Sequence, residues 1–154
     1  MTKMLTPCDI PLTYAEPPFA LHSGSRSHWF VDGEAIFLDK RLRELVLDCW
    51  ENELRRIFPA TGLFHFIGVP RGGTLWAEAI ACRMGCSWDS PQASSIPEGR
   101  TVVAVDDVLT TGASIKEVED AQWALVVVAR VPAGTYFPST TAWAKIDLPL
   151  LEEA

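Results

Sequence analysis

Apolar residues recur along this chain in two periods, and the switches between them mark out alternating strands and helices. Val102, Val103, Ala104 and Val105 form a continuous small or β-branched run, the pattern of a parallel strand buried on both faces. Residues 64–69 and 125–131 carry comparable runs and are predicted as further core strands. Across residues 39–58 the apolar positions Leu42, Leu45, Val46, Cys49, Leu54 and Ile57 instead follow helical spacing. Asp39 is a candidate cap for that helix and Pro59 ends it. Its charged residues, among them Arg41, Arg43, Glu44, Glu51, Glu53, Arg55 and Arg56, read as a solvated face. Residues 74–83 and 114–122 each follow a strand and a short loop and are predicted as helices. Residues 143–147 read as a last strand before a free acidic end. At the other end, Pro7, Pro11, Pro17 and Pro18 predict an irregular leader over residues 1–18. Beyond it, a Ser-Gly-Ser-Arg-Ser turn leads into a short strand at residues 29–31.

Strand–helix alternation of this kind predicts an α/β fold with a central, mainly parallel sheet flanked by helices. At 154 residues the chain is expected to be one domain, with its α/β core at residues 39–135, a leader before it and a tail at 136–154. Apolar residues make up 48% and charged residues 21%, which excludes a disordered chain. The net charge of −7 argues against nucleic acid as a partner. It also leaves any anionic substrate to local donors and a metal. No apolar run is long enough to cross a bilayer and the N-terminus lacks a signal-peptide pattern. Cys8, Cys49, Cys82 and Cys86 fit no common zinc spacing, and His22, His28 and His65 do not complete one. Reduced thiols in a cytoplasmic protein are the expectation. The six tryptophans read mostly as packing residues.

The candidate chemistry sits where the central strand should end. Asp106 and Asp107 come first, then the turn Leu109, Thr110, Thr111, Gly112, Ala113, then Ser114 at the start of a helix. A loop entering a helix N-terminus gathers free backbone N–H groups and the positive end of the helix dipole, which suits a phosphate. Thr110, Thr111 and Ser114 add hydroxyl donors, and Gly112 lets the backbone approach the anion. Carboxylates cannot bind phosphate directly. They accept hydrogen bonds from sugar hydroxyls or act through a hard cation such as Mg²⁺. Phosphate donors beside carboxylate acceptors point to a ribose phosphate. A second strand–loop–helix unit reads Val69, Pro70, Arg71, Gly72, Gly73, with a fixed positive charge and two glycines that permit close approach to an anion.

The apolar strand, the acidic pair and the T-T-G-x-S loop together resemble the phosphoribosyl-diphosphate (PRPP) signature of type I phosphoribosyltransferases. The resemblance implies that Asp106 and Asp107 hold the ribose hydroxyls, directly or with a metal, and that residues Leu109 to Ser114 cradle the 5′-phosphate. It makes Val69, Pro70, Arg71, Gly72 and Gly73 the pyrophosphate loop, where many members carry a non-proline cis peptide. Further back, F-x-L-x-S-G-x-x-S followed by an aromatic pair and an acid resembles the N-terminal segment of orotate phosphoribosyltransferases. That segment forms a hood over the base, so residues 1–38 become leader and hood, and His22, Trp29 and Phe30 become base-site candidates. Arg130 joins them through a partial match, Arg130 and Gly134 being present where the acid before the arginine is not. A surface position for Arg130 is the competing reading.

The resemblance implies a Mg²⁺-dependent transfer of ribose 5-phosphate from PRPP to orotate or a related pyrimidine, and a homodimer. Catalytic roles fall to Asp106, Asp107 and Arg71. One departure bears on activity. Orotate enzymes carry a lysine-rich mobile loop in the region of residues 84–100, and this chain has no lysine between Lys40 and Lys116. Lids of that kind exclude water and complete the site. The shortened loop leaves two readings, an enzyme with a substitute cation and a non-catalytic PRPP- or nucleotide-binding member.

Overall fold

A computed structural model of the chain describes residues 3–4, 11–21, 26–59, 62–91, 96–110, 113–118, 120–131 and 139–147. The elements in order are β1 (Lys3–Met4), β2 (Leu12–Ala20), β3 (Arg26–Val31), α1 (Gly33–Leu38), α2 (Lys40–Ile57) and β4 (Phe64–Gly68). They are followed by α3 (Gly72–Met84), β5 (Ser87–Asp89), β6 (Thr101–Leu109), α4 (Ala113–Lys116), β7 (Trp123–Val131) and β8 (Thr140–Asp147). Six strands form one sheet in the order β1-β8-β7-β6-β4-β5, and β2 and β3 form a separate antiparallel pair. Every pairing in the large sheet is parallel. Among the described residues no helix is long and apolar enough to cross a membrane.

Both faces of the sheet are buried, which is why its strands read as continuous apolar runs. Val103 and Val105 of β6 join one core cluster with Ile36 of α1, Val46, Trp50 and Leu54 of α2 and Trp76 and Ile80 of α3. Val102 and Ala104 face the other way, into a second cluster with Ile115 of α4, Val118 and the small residues Ala124 and Ala142. Three helices therefore cover the first face. The indole of Trp50 ties them to the sheet: it is fully buried, lies edge-on to Trp76 at 5.5 Å and donates to the Val126 carbonyl at 3.1 Å. On the outside of this layer Arg83 of α3 bridges Glu44, Asp48 and Glu51 of α2. Asp39 caps α2 as expected, its carboxylate accepting from the Leu42 N–H at 3.1 Å.

Several elements depart from the sequence expectation. The leader contains β1 and the nine-residue β2. The register between β2 and β3 shifts between Tyr14 and Phe19, around Pro17 and Pro18. A two-stranded sheet is all edge, so prolines cost it few ladder bonds. The central strand β6 does not stop before the carboxylates. Asp106 pairs with Val126, Val108 with Val128 and Leu109 with Ala129, because the neighbouring β7 extends equally far. The helix predicted over residues 114–122 is only the four-residue α4. After it the backbone closes three-residue turns, Val118 to Ile115 at 3.0 Å and Ala121 to Val118 at 3.2 Å, which bury Ile115 and Val118 against the sheet. Both α1 and the short edge strand β5 lack a sequence period long enough to be predicted.

Replacing Trp50 with alanine is expected to remove about 3–5 kcal/mol of unfolding free energy in a urea titration. A loss under ~1 kcal/mol would show that the three-helix layer does not depend on this side chain.

Candidate functional site

The strand order changes direction between β4 and β6. From β4 the chain crosses through α3 to β5 on one side, and from β6 it proceeds to β7 and β8 on the other. The connections leaving the two adjacent strands therefore diverge, and a crevice opens beyond their C-terminal ends. Register fixes how closely their loops sit: Gly68 pairs with Val105, and the Val69 N–H donates to the Val105 carbonyl at 2.8 Å. Val69, Pro70 and Arg71 leave the sheet beside Asp106 and Asp107.

The first loop enters α3. Its Pro70–Arg71 peptide is cis, as the resemblance implies. Arg71 is exposed, and its side chain makes no cap hydrogen bond to the helix start. The Gly73 N–H turns back to the Val69 carbonyl at 2.8 Å. Gly73 sits so close to β6 that a Cβ there would collide with the Val105 carbonyl oxygen, and a Cβ on Gly72 would collide with the Asp107 carboxylate. Close approach to backbone thus requires glycine at position 73, while at position 72 it makes room for the Asp107 side chain, and the start of α3 faces a carboxylate.

The two acids differ in their surroundings. Asp106 is buried and its Oδ1 accepts from the Asp107 N–H at 2.8 Å. Burial, then the neighbouring Asp107 charge, push the Asp106 carboxyl up to about 9. Asp107 is half-buried on the helical face of the sheet, and its Oδ1 accepts from the Val108 N–H at 2.8 Å. A ligand cation or hydroxyl donor at this pair would relieve a repulsion already built into the fold. Among the described residues no cluster of three or more His, Cys, Asp or Glu side chains forms a metal cage.

Beyond the acids, Leu109 is buried in strand β6, Thr110 is half-buried at its end, and Ser114 is half-buried in the first turn of α4. Ala113 opens that helix. Thr111, Gly112 and His22 lie outside the described residues. Of the predicted phosphate donors, Thr110 and Ser114 thus flank the loop at the end of the strand that carries both acids.

The hairpin β2–β3 reaches the same end of the sheet. Arg130 does not lie on the surface. It is 2% exposed at the end of β7, donating to the Ser27 hydroxyl at 3.0 Å and the Trp29 carbonyl at 3.3 Å. Its role in the structure is to tie the hairpin to the core. Trp29 and Phe30 are neighbours on one strand, so their side chains leave opposite faces. Trp29 packs on the main core cluster, whereas Phe30 is exposed and leans on Phe19 at 5.5 Å. The structure brings Trp29 together with Arg130 and does not bring Phe30 with it. Three residues not singled out from sequence join the site. Tyr14 stacks on His28 at 5.3 Å and meets Trp29 edge-on at 5.0 Å, extending the aromatic surface. Gly33 packs directly against Asp107. His28 directly precedes the aromatic pair of β3, which is its only sequence signal; nothing local signals Tyr14 or Gly33.

No family model matches the sequence. An adenine phosphoribosyltransferase of Eremothecium gossypii is 27% identical over 55% of this chain and 59% of its own length, so the chain matches well under two thirds of that relative. Among solved structures, orotate phosphoribosyltransferase from Aeropyrum pernix superposes with a TM-score of 0.64 and 27% identity, covering 87% of each chain. Saccharomyces cerevisiae adenine phosphoribosyltransferase gives 0.55 and 17% identity over 88% of this chain and 83% of that one. The UMP synthase of Leishmania donovani gives 0.62 and 18% over 87% of this chain and 33% of the other. The parallel sheet, its flanking helices and these neighbours agree: the chain has the type I phosphoribosyltransferase fold.

Proposed function

We propose that this protein transfers ribose 5-phosphate from PRPP to a ring nitrogen of a base, with orotate or a related pyrimidine as acceptor. The observation that carries the reading is the contact between the start of α3 and the Asp107 carboxylate across the β4–β6 switch point. A helix start suited to an anion and a carboxylate suited to hydroxyl donors lie side by side there. Orotate is supported by the neighbour from Aeropyrum pernix, at 27% identity over 87% of each chain, whereas the adenine enzyme of Eremothecium gossypii matches 55% of this chain.

In the reaction the ribose C1–oxygen bond to pyrophosphate breaks, the electron pair leaves with pyrophosphate, and the base nitrogen bonds to C1 as its proton is lost to water. Arg71 and the backbone from Val69 to Gly73 take the leaving pyrophosphate, an electrostatic contribution made where charge develops. Asp106 and Asp107 hold the ribose hydroxyls, and the Asp107 carboxylate offsets the positive charge on C1 and the ring oxygen. Leu109 to Ser114 hold the 5′-phosphate, binding energy remote from the reacting bond. Trp29, in the hairpin that Arg130 anchors, covers the base. Two carboxylates without a third ligand fit Mg²⁺, which commonly takes one or two protein carboxylates and fills its shell with substrate phosphates and water. Bound there with substrate, Mg²⁺ would supply neutralisation of the pyrophosphate charge.

A second reading has its own support. The chain has no lysine between Lys40 and Lys116, so a protein that binds PRPP or a nucleotide without turnover is the alternative. Incubation with PRPP, Mg²⁺ and either orotate or adenine separates the two. Pyrophosphate release with orotate is the expected result. Tight PRPP binding by calorimetry without release with any base would select the binding protein, and neither binding nor release would overturn both. Asp106→Asn with Asp107→Asn is expected to weaken PRPP binding by at least ~100-fold, since each lost charged hydrogen bond costs roughly 1.5–3 kcal/mol.

The raised Asp106 carboxyl also makes a stability prediction. Its folded value, about 9, lies above its ordinary value of 3.8, so between those two pH values the folded state holds a proton that the unfolded state has lost. Stability is then full below the lower value and falls as pH rises toward the upper one. In metal-free buffer Asp106→Asn should flatten that decline and stabilise the protein at pH 8 by at least ~1 kcal/mol. Equal stability of mutant and wild type from pH 5 to pH 9 would contradict the buried, repelled state of this group.

A further inference from the structure

We infer that Gly33 is a positioning residue: its missing side chain lets α1 seat on the Cβ of Asp107 and so sets the base-covering hairpin at a fixed distance from the ribose-binding carboxylate. Gly33 is the first residue of α1 and is separated from the end of the hairpin by Asp32 alone. The junction is pinned on both sides. The Asp32 N–H donates to the Pro11 carbonyl at 3.0 Å, and the Asp32 carboxylate accepts from the Ala35 N–H at 3.0 Å.

A Cβ on Gly33 would stand 2.5 Å from Oδ2 of Asp107, 2.7 Å from its Cβ and 2.9 Å from its Cγ. The middle distance decides the matter. Turning χ1 of Asp107 clears its oxygens but cannot move its Cβ, which is fixed to a strand hydrogen-bonded to β4 and β7. A side chain at position 33 therefore forces α1 and the attached hairpin to retreat. Gly72 behaves differently. The three atoms nearest to a Cβ there all belong to the carboxyl group of Asp107, which a rotation of that side chain moves. The two glycines thus divide the work. Gly72 sets where the carboxylate points, and Gly33 sets how near the hairpin stands to it. This inference rests on the reading of Asp107 as a ribose ligand.

Two measurements on Gly33→Ala test it and can fail separately from that reading. The first needs no substrate: thermal unfolding of Gly33→Ala, Asp107→Gly and the double variant. Gly33→Ala should lower Tm by several degrees in the native background, and by less than about half as much when the Asp107 side chain is absent. An equal loss in both backgrounds overturns the seat. If Gly33→Ala does not fold, recovery of folding by Asp107→Gly supports it and failure to recover overturns it. The second separates positioning from binding. In Gly33→Ala, kcat should fall about tenfold or more while the calorimetric Kd for PRPP stays within about threefold of wild type, because misregistered reactants lose rate before affinity. In Gly72→Ala the PRPP Kd should rise about tenfold. Parallel loss of affinity in both variants would overturn the division of roles. A wild-type protein that does not bind PRPP refutes the ribose reading and leaves the unfolding cycle to decide the seat.

Discussion

Backbone pairing between β4 and β6 is the constraint on which the site depends. The two strands are parallel, with Gly68 opposite Val105, and the Val69 N–H extends the ladder one step past the end of β4. That pairing sends two loops out of the sheet side by side. A slip of one residue would turn the Asp106 and Asp107 side chains each to the opposite face. Glycine at 72 and 73 then allows the first turn of α3 to close onto β6, with no Cβ between helix and strand. The sheet register and the glycines together bring the positive helix end and the carboxylate into contact.

This arrangement is not built for stability. Asp106 carries a carboxyl that burial and the Asp107 charge both oppose ionising. Gly33, Gly72 and Gly73 all open helices, where they contribute no side chain to packing or capping. The offset comes from elsewhere in the molecule, chiefly the aromatic layer of Trp50 and Trp76 beneath α2 and α3 and the close-packed alanine and valine face of β6 and β7. Arg130 belongs to the same economy. A buried guanidinium is costly to desolvate, and here it holds the hairpin over the strand ends through Ser27 and Trp29.

Elements whose information is local were legible in the sequence. The apolar run of β6, the helical period and Asp39 cap of α2, and the glycine loop before α3 all lie within a dozen or so residues. What was not legible depends on partners distant in the chain. β2 is a strand despite its prolines because β3 pairs with it. β6 runs through its acids because β7 continues beside it. Arg130 is buried because a hairpin from the other end of the chain closes over it. Trp29 and Phe30 look equivalent as an aromatic pair, and only the pleat of β3 separates them. Gly33 is the extreme case, since its neighbours in sequence carry no trace of the carboxylate it touches.

The most direct test of the account is a crystal structure of the protein grown with PRPP and Mg²⁺. The account predicts the ribose hydroxyls about 3 Å from the Asp106 or Asp107 carboxylate oxygens, with the diphosphate at the start of α3 and the 5′-phosphate between Thr110 and Ser114. PRPP bound away from the β4–β6 crevice, or the crevice filled by protein side chains in crystals saturated with PRPP, would contradict it.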